Sequence, residues 1–181
     1  MTDIKSMFHQ FYITEEQRDL LRFLWWENGN PDENVVEYRM KVYLFGAASC
    51  LRGCANFGLK KAADAGEEEF GFAAAEFIRK DFYVDDGLKA VPSIEEAISL
   101  IKNSQDLCKK SGLRLHKIVS NKRDVLSAVE AEDRANGIKK IDLSADRLPI
   151  QRALGVTWCV ESDCFQFRIE LKDTPFTRRG I

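Results

Sequence analysis

The stretch Phe82-Tyr83-Val84-Asp85-Asp86-Gly87 constrains the fold of this chain more than any other. Apolar residues run into two adjacent carboxylates and then a glycine, the pattern of a strand entering a tight turn with both acids at its tip. Lys89-Ala90-Val91 is placed to form the return strand. Helical periodicity lies on both sides of this unit. Residues 50–65 read as a helix with Leu51, Cys54, Ala55 and Phe57 on its buried side and Gly66 as its stop. A second helical piece covers about 68–80, where Phe70, Ala73, Ala74 and Phe77 share helical spacing. After the hairpin, Ser93 stands three residues before Glu96, a capping box just behind Pro92. Ile94, Ala97, Ile98, Ile101 and Cys108 follow at helical steps, and Gly112 is placed to end that helix in a left-handed conformation.

The remaining elements read as strands and turns. Residues 8–13, 22–26 and 36–42 are strand candidates, and Gly29, Asn30 and Pro31 supply a turn between the last two. Leu113 to Val119 alternates as a strand, 121–132 holds a short helix, and 133–149 is polar and linker-like. Residues 154–160 and 165–169 form a last hairpin turned at Glu161-Ser162-Asp163. Taken from Asp3 to Val119, the order is strand end, helices, strand, strand, helix, strand. That is the α+β, split βαβ (ferredoxin-like) arrangement, an antiparallel sheet with helices on one face. It puts Asp3 beside the turn that carries Asp85 and Asp86. Three converging carboxylates suit a hard divalent cation such as Mg²⁺ that carries substrate phosphates. The bland alternative is that Asp85 and Asp86 merely favour a surface turn.

The chain has 181 residues, enough for one domain, and is 45% hydrophobic and 31% charged, so it can bury a core. A net charge of −2 gives no global polyanion-binding signature. The basic residues between 107 and 123 (Lys109, Lys110, Arg114, Lys117, Lys122 and Arg123) include no acid among them and form a candidate phosphate-tracking patch, or a solvated helix end. Five cysteines without a Cys-x-x-Cys pair argue against zinc and read as reduced, buried thiols of an intracellular protein. Trp25, Trp26 and Trp158 read as core, with Trp158 alternatively bracing a bound strand. His9 and His116 read as structural. No signal peptide and no run of membrane-spanning length is present, and both ends read as cut.

Several segments together resemble the reverse transcriptase of Bel/Pao-type retrotransposons. Asp3 to Gln10, continued by 15–25, resembles the first segment of that polymerase palm. Glu37-Tyr38-Arg39-Met40 leading to Phe45-Gly46-Ala47-Ala48-Ser49, then Cys54-Ala55-Asn56-Phe57, resembles the second. Tyr83-Val84-Asp85-Asp86 is the third. Gly112 to Lys117 with Ser120-Asn121 resembles the fourth. Leu154-Gly155-Val156-Thr157-Trp158 resembles the fifth, the primer grip. The resemblance divides the chain into a palm fragment at 1–132, a linker at 133–149 and, at 150–181, a primer-grip-like hairpin running into the start of the Pao-type peptidase region. Asp173-Thr174-Pro175 is only superficially similar to a protease motif, so no protease activity is assigned. The family's Ser-Pro turn is replaced here by Cys50-Leu51-Arg52-Gly53, and its basic fingers segment would precede Met1.

The resemblance implies RNA-directed DNA polymerisation from dNTPs onto a primer 3′-hydroxyl. Two Mg²⁺ ions, with Mn²⁺ as a substitute, would be held by Asp3, Asp85, Asp86 and the carbonyl of Ile4. Ser6, Met7, Phe8, Phe45 and Gly46 would face the nucleotide, Phe8 as a steric gate or else as a core aromatic. Lys117 would protonate pyrophosphate, or else be a solvated strand lysine. Tyr83, Leu154, Gly155 and Trp158 would contact primer and template. The implied partners are an RNA or DNA template with primer, dNTPs and the rest of a retroelement polyprotein, with no membrane, in the cytoplasm or nucleus. A catalytically inactive or domesticated fragment that binds nucleic acid or protein is the alternative. Another metal-dependent phosphotransferase on the same sheet is a third.

Overall fold

The computed structural model describes residues 1–44 and 53–167. They form an α+β structure with three antiparallel sheets and four helices. The principal sheet has the order β4-β5-β1-β6, built from β1 (Thr2–Ile4), β4 (Phe82–Tyr83), β5 (Asp86–Gly87) and β6 (Leu115–His116). Its strands are short, and β1 at its centre is held on both edges, by β5 and by β6. Thr2 and Ile4 are buried and Asp3 between them is not, the two-residue alternation of a strand with one face on a core. Ile4 and Leu115 pack with Leu59, Ala63, Phe77, Ile78, Leu107 and Cys108, so all the long helices cover that one face. Asp3 therefore lies on the opposite face.

The helices are α1 (Ala55–Phe70), α2 (Phe72–Lys80), α3 (Ile94–Lys110) and α4 (Arg123–Ser127). The capping box is formed: Ser93 Oγ accepts from the Glu96 amide at 3.1 Å. Gly112 follows α3 at φ +74, as a left-handed stop requires. Gly66 does not end α1. It is buried inside the helix where a Cβ would fall 2.6 Å from Leu107 Cγ, so the glycine serves close packing against α3. The break comes at Gly71, φ +88. Leu59, Ala62 and Ala63 make the buried side of α1, whereas Phe57 is exposed.

Four further expectations fail for physical reasons. No strand covers 8–13. Met7–Gln10 is a 3-10 turn instead, and it packs both Met7 and Phe8 into the first core. The return strand of the acidic hairpin is Asp86–Gly87 rather than 89–91, so Asp86 is a ladder residue and not a tip residue. The hairpin of β2 (Arg22–Trp26) and β3 (Val35–Arg39) forms in the expected place, but Trp25 is 51% exposed rather than core. Of the four described cysteines only Cys108 is buried; Cys164 is exposed.

A second core gathers Val119, Leu126, Ala135, Ile138, Leu148, Ala153, Trp158 and Val160. It is backed by the sheet of β7 (Ile150–Ala153), β8 (Val156–Cys159) and β9 (Cys164–Gln166). The polar stretch 133–149 contributes Ala135, Ile138 and Leu148 to it. Among the described residues no helix is long and apolar enough to cross a membrane.

Candidate functional site

The ladder register builds the site. Asp3 is directly opposite Asp86 on one side and His116 on the other. Directly opposed residues share a face, with Cβ atoms about 5 Å apart. Asp86, Asp3 and His116 thus form a row across three strands on the face away from the helices. Asp85 joins the row through the backbone, its carbonyl accepting the Ile4 amide at 3.0 Å. Ile4 and Asp85, 81 residues apart in sequence, are tied by a main-chain bond rather than by side-chain chance.

Two positive-φ residues shape the row. Val84, at φ +60, is the first residue of the two-residue loop between Tyr83 and Asp86. A β-branched side chain is strained there, at a cost of about 1–3 kcal/mol, and such strain gathers at functional loops. Lys117 is the other, at φ +50. Asp3 pairs with His116, yet Met1 and Val119 exchange both backbone bonds, at 2.8 and 2.9 Å. The β6 side therefore carries one residue more than β1 between these pairs, a bulge. The bulge lets His116 and Lys117, neighbours in sequence, reach the same carboxylate. His116 Nε2 lies 2.9 Å from Asp3 Oδ1, and Lys117 Nζ lies 2.8 Å from Asp3 Oδ2. In an unbroken strand they would point to opposite faces.

The electrostatics follow from this crowding. Burial raises the Asp86 carboxyl above the usual range, the Asp85 and Asp3 carboxylates add to the rise, and Lys117 opposes it. Burial lowers His116, only partly offset by its bond to Asp3, so the neutral ring donates Nε2–H to Asp3. The cluster is a set of carboxylates short of positive charge, with one ammonium supplied from within the chain.

The other candidate residues are scattered. Ile4 has its side chain in the core. Ser6 is exposed at φ +49, while Met7 and Phe8 are core residues, Phe8 at 7% exposure. Phe45 and Gly46 lie outside the described residues, as do Cys50, Leu51 and Arg52 of the altered turn and all residues from 168 on. Tyr83 is exposed beside Asp86. Leu154 and Gly155, at φ +52 and +84, make the two-residue turn between β7 and β8, with Leu154 exposed. Trp158 is buried in the second core, its Nε1–H donating to Asp163 Oδ1 at 3.1 Å. The basic stretch is largely neutralised: Lys110 pairs with Glu69, Arg114 with Asp133, Lys117 with Asp3 and Arg123 with Glu161. The place of His116 beside Asp3 was missed from sequence, although the Leu113–Leu115 alternation already puts His116 on the non-core face.

No model of a known protein family, no curated protein and no solved structure matches the chain. Among the described residues no group of three or more His, Cys, Asp or Glu side chains is arranged to hold a metal ion. The donor chemistry is nevertheless that of a hard-cation site: the Asp3 and Asp86 carboxylates stand directly opposed, and burial first, then the Asp85 and Asp3 charges, raise the Asp86 carboxyl. What departs from a ready cage is Asp3, both of whose oxygens are engaged.

Proposed function

We propose that the chain is the palm region of a Bel/Pao-type reverse transcriptase, an RNA-directed DNA polymerase that joins a dNTP to a primer 3′-hydroxyl. The observation that carries this reading is the Asp3–Asp86 register, which sets two distant carboxylates on one sheet face, with the Asp85 backbone bonded to Ile4 beside them. The strand order β4-β5-β1-β6, with helices between β1 and β4 and between β5 and β6, supports a split βαβ palm. Asp3, Asp85 and Asp86 would hold Mg²⁺. When bound, the ions supply Lewis-acid activation of the primer hydroxyl and charge neutralisation on the triphosphate.

The chain's own residues do the positioning. Backbone bonds from β1 to β5 and β6 fix Asp3 against the hairpin. His116 orients the Asp3 carboxylate through Nε2–H. Lys117, half-exposed and on a flexible stem, is within reach of the same space and would give a proton to the departing pyrophosphate. Tyr83 and the Leu154–Gly155 turn present exposed surface suited to primer and template.

One observation favours a second reading, a binding fragment without activity. The β2–β3 hairpin exposes Phe23, Trp25 and Tyr38, with Phe23 stacked on Tyr38 at 5.7 Å. Primer extension on poly(rA)–oligo(dT) with Mg²⁺ and dTTP separates the two. The polymerase reading expects template-dependent incorporation by the wild-type chain and a loss of at least about a hundredfold in Asp85→Asn. Equal incorporation by both proteins rejects it. Primer–template binding by a wild-type chain that never extends supports the second reading.

A further inference from the structure

Lys117 has a position that general acid chemistry alone does not explain. Its ammonium sits on Asp3 Oδ2 at 2.8 Å, and it reaches there only through a bulge held at φ +50. Positive φ costs a non-glycine residue roughly 1–2 kcal/mol, so something must hold it. The holding force is visible in the row. Asp3 is 16% exposed and stands directly across from Asp86, and like charges so placed repel. His116 is bonded to Oδ1 of Asp3 at 2.9 Å and orients the carboxylate, whose charge calls for a cation. Lys117 is the ammonium that compensates it.

We propose that Lys117 is a charge placeholder: it occupies the Asp3 oxygen that a divalent cation needs, and the cation displaces it. The inference rests on the polymerase-type reading of the carboxylate row. One carboxylate oxygen does not hold an ammonium at 2.8 Å and a divalent cation at its own bonding distance together. Lys117 is free to leave, because its side chain is 48% exposed and its four-carbon stem is flexible. His116 stays, since its bond is to Oδ1 and leaves Oδ2 to a cation. Displacement also delivers the ammonium into the site only when a cation has entered, which couples the proton donor to cation loading.

The test is Mn²⁺ binding to the full chain, followed by calorimetry and by the electron paramagnetic resonance of the free ion. It needs no turnover. Wild type is compared with Lys117→Met, Lys117→Gly and Asp3→Asn. Glycine accepts the positive φ, so Lys117→Gly keeps the backbone if Lys117→Met misfolds. The placeholder expects Mn²⁺ to bind about fivefold more tightly to both Lys117 variants, the strength of a half-exposed pair removed. Asp3→Asn is expected to abolish binding. Binding that Asp3→Asn abolishes but that the Lys117 variants leave unchanged or weaken overturns the placeholder and spares the metal site. Absence of Mn²⁺ binding in every protein overturns both.

Discussion

Cys108 shows what complete burial does to a single side chain. It lies in α3 under α1 and α2, and burial pushes its thiol from an ordinary 9.0 up to about 12. The folded chain therefore keeps its proton where the unfolded chain loses it. Below 9.0 both states are protonated and the contribution is fully present; between 9.0 and about 12 the unfolded state alone ionises and stability falls. Urea midpoints measured from about pH 8 to about pH 11 should decline in wild type and decline less in Cys108→Ala. Native-state alkylation should label Cys164 first and Cys108 only on unfolding. An equal decline in both proteins would show that other groups set the alkaline limit. The same scale shows what sequence reveals of a site. Asp85 and Asp86 are legible as a turn because adjacent acids before a glycine favour one, and their approach to Asp3 is legible only through the order of strands and helices. The aim of Lys117 is not legible, because it depends on a bulge fixed by the pairing of Met1 with Val119, which are 118 residues apart. Phe8 is ambiguous for the opposite reason: an aromatic side chain serves a core and a substrate wall equally well.

At the scale of elements, periodicity predicts helices better than it predicts their neighbours. Ser93 and Glu96 fix the start of α3 through local bonds, so that boundary is readable. Gly66 looks like a stop, but a glycine chosen for contact and a glycine chosen for a turn are identical in sequence. Its role is settled by Leu107, whose Cγ lies where a Cβ would intrude. Gly66→Ala should therefore destabilise the fold. Overpacking costs about 1–3 kcal/mol, and better helix propensity returns about 1 kcal/mol, leaving a net loss near 1 kcal/mol. The double substitution Gly66→Ala with Leu107→Ala should recover part of that loss, since the clash disappears. Denaturant curves on the four proteins of this cycle measure the coupling, and purely additive losses would reject the packing role. The β2–β3 hairpin gives the complementary lesson. Its register is readable from pattern and turn, yet its exposure is not, because aromatic residues in a strand announce burial whether or not a partner is present.

Across the whole molecule, residues 113–119 tie the two cores together. Leu113 and Leu115 lie in the first core and Val119 in the second, within one extended run that also flanks β1. Residues 133–149 are dominated by polar positions, and the apolar residues they contribute are too widely spaced to show a period. Their burial follows from the β7–β8–β9 sheet and α4 rather than from local pattern. If the shared run carries force between the cores, a cavity in the first must be felt in the second. Leu107 is fully buried among the helices, and Leu107→Ala should cost about 2–5 kcal/mol. Trp158 reports the second core by fluorescence once Trp25 and Trp26 are replaced by phenylalanine, while far-UV circular dichroism is dominated by α1, α2 and α3. In that background the two signals should trace one transition, and Leu107→Ala should shift both by the same amount. A Trp158 transition left in place while the helical signal moves would mean that the second core folds on its own, and the bulged strand would then be a tether between two units rather than a beam shared by both.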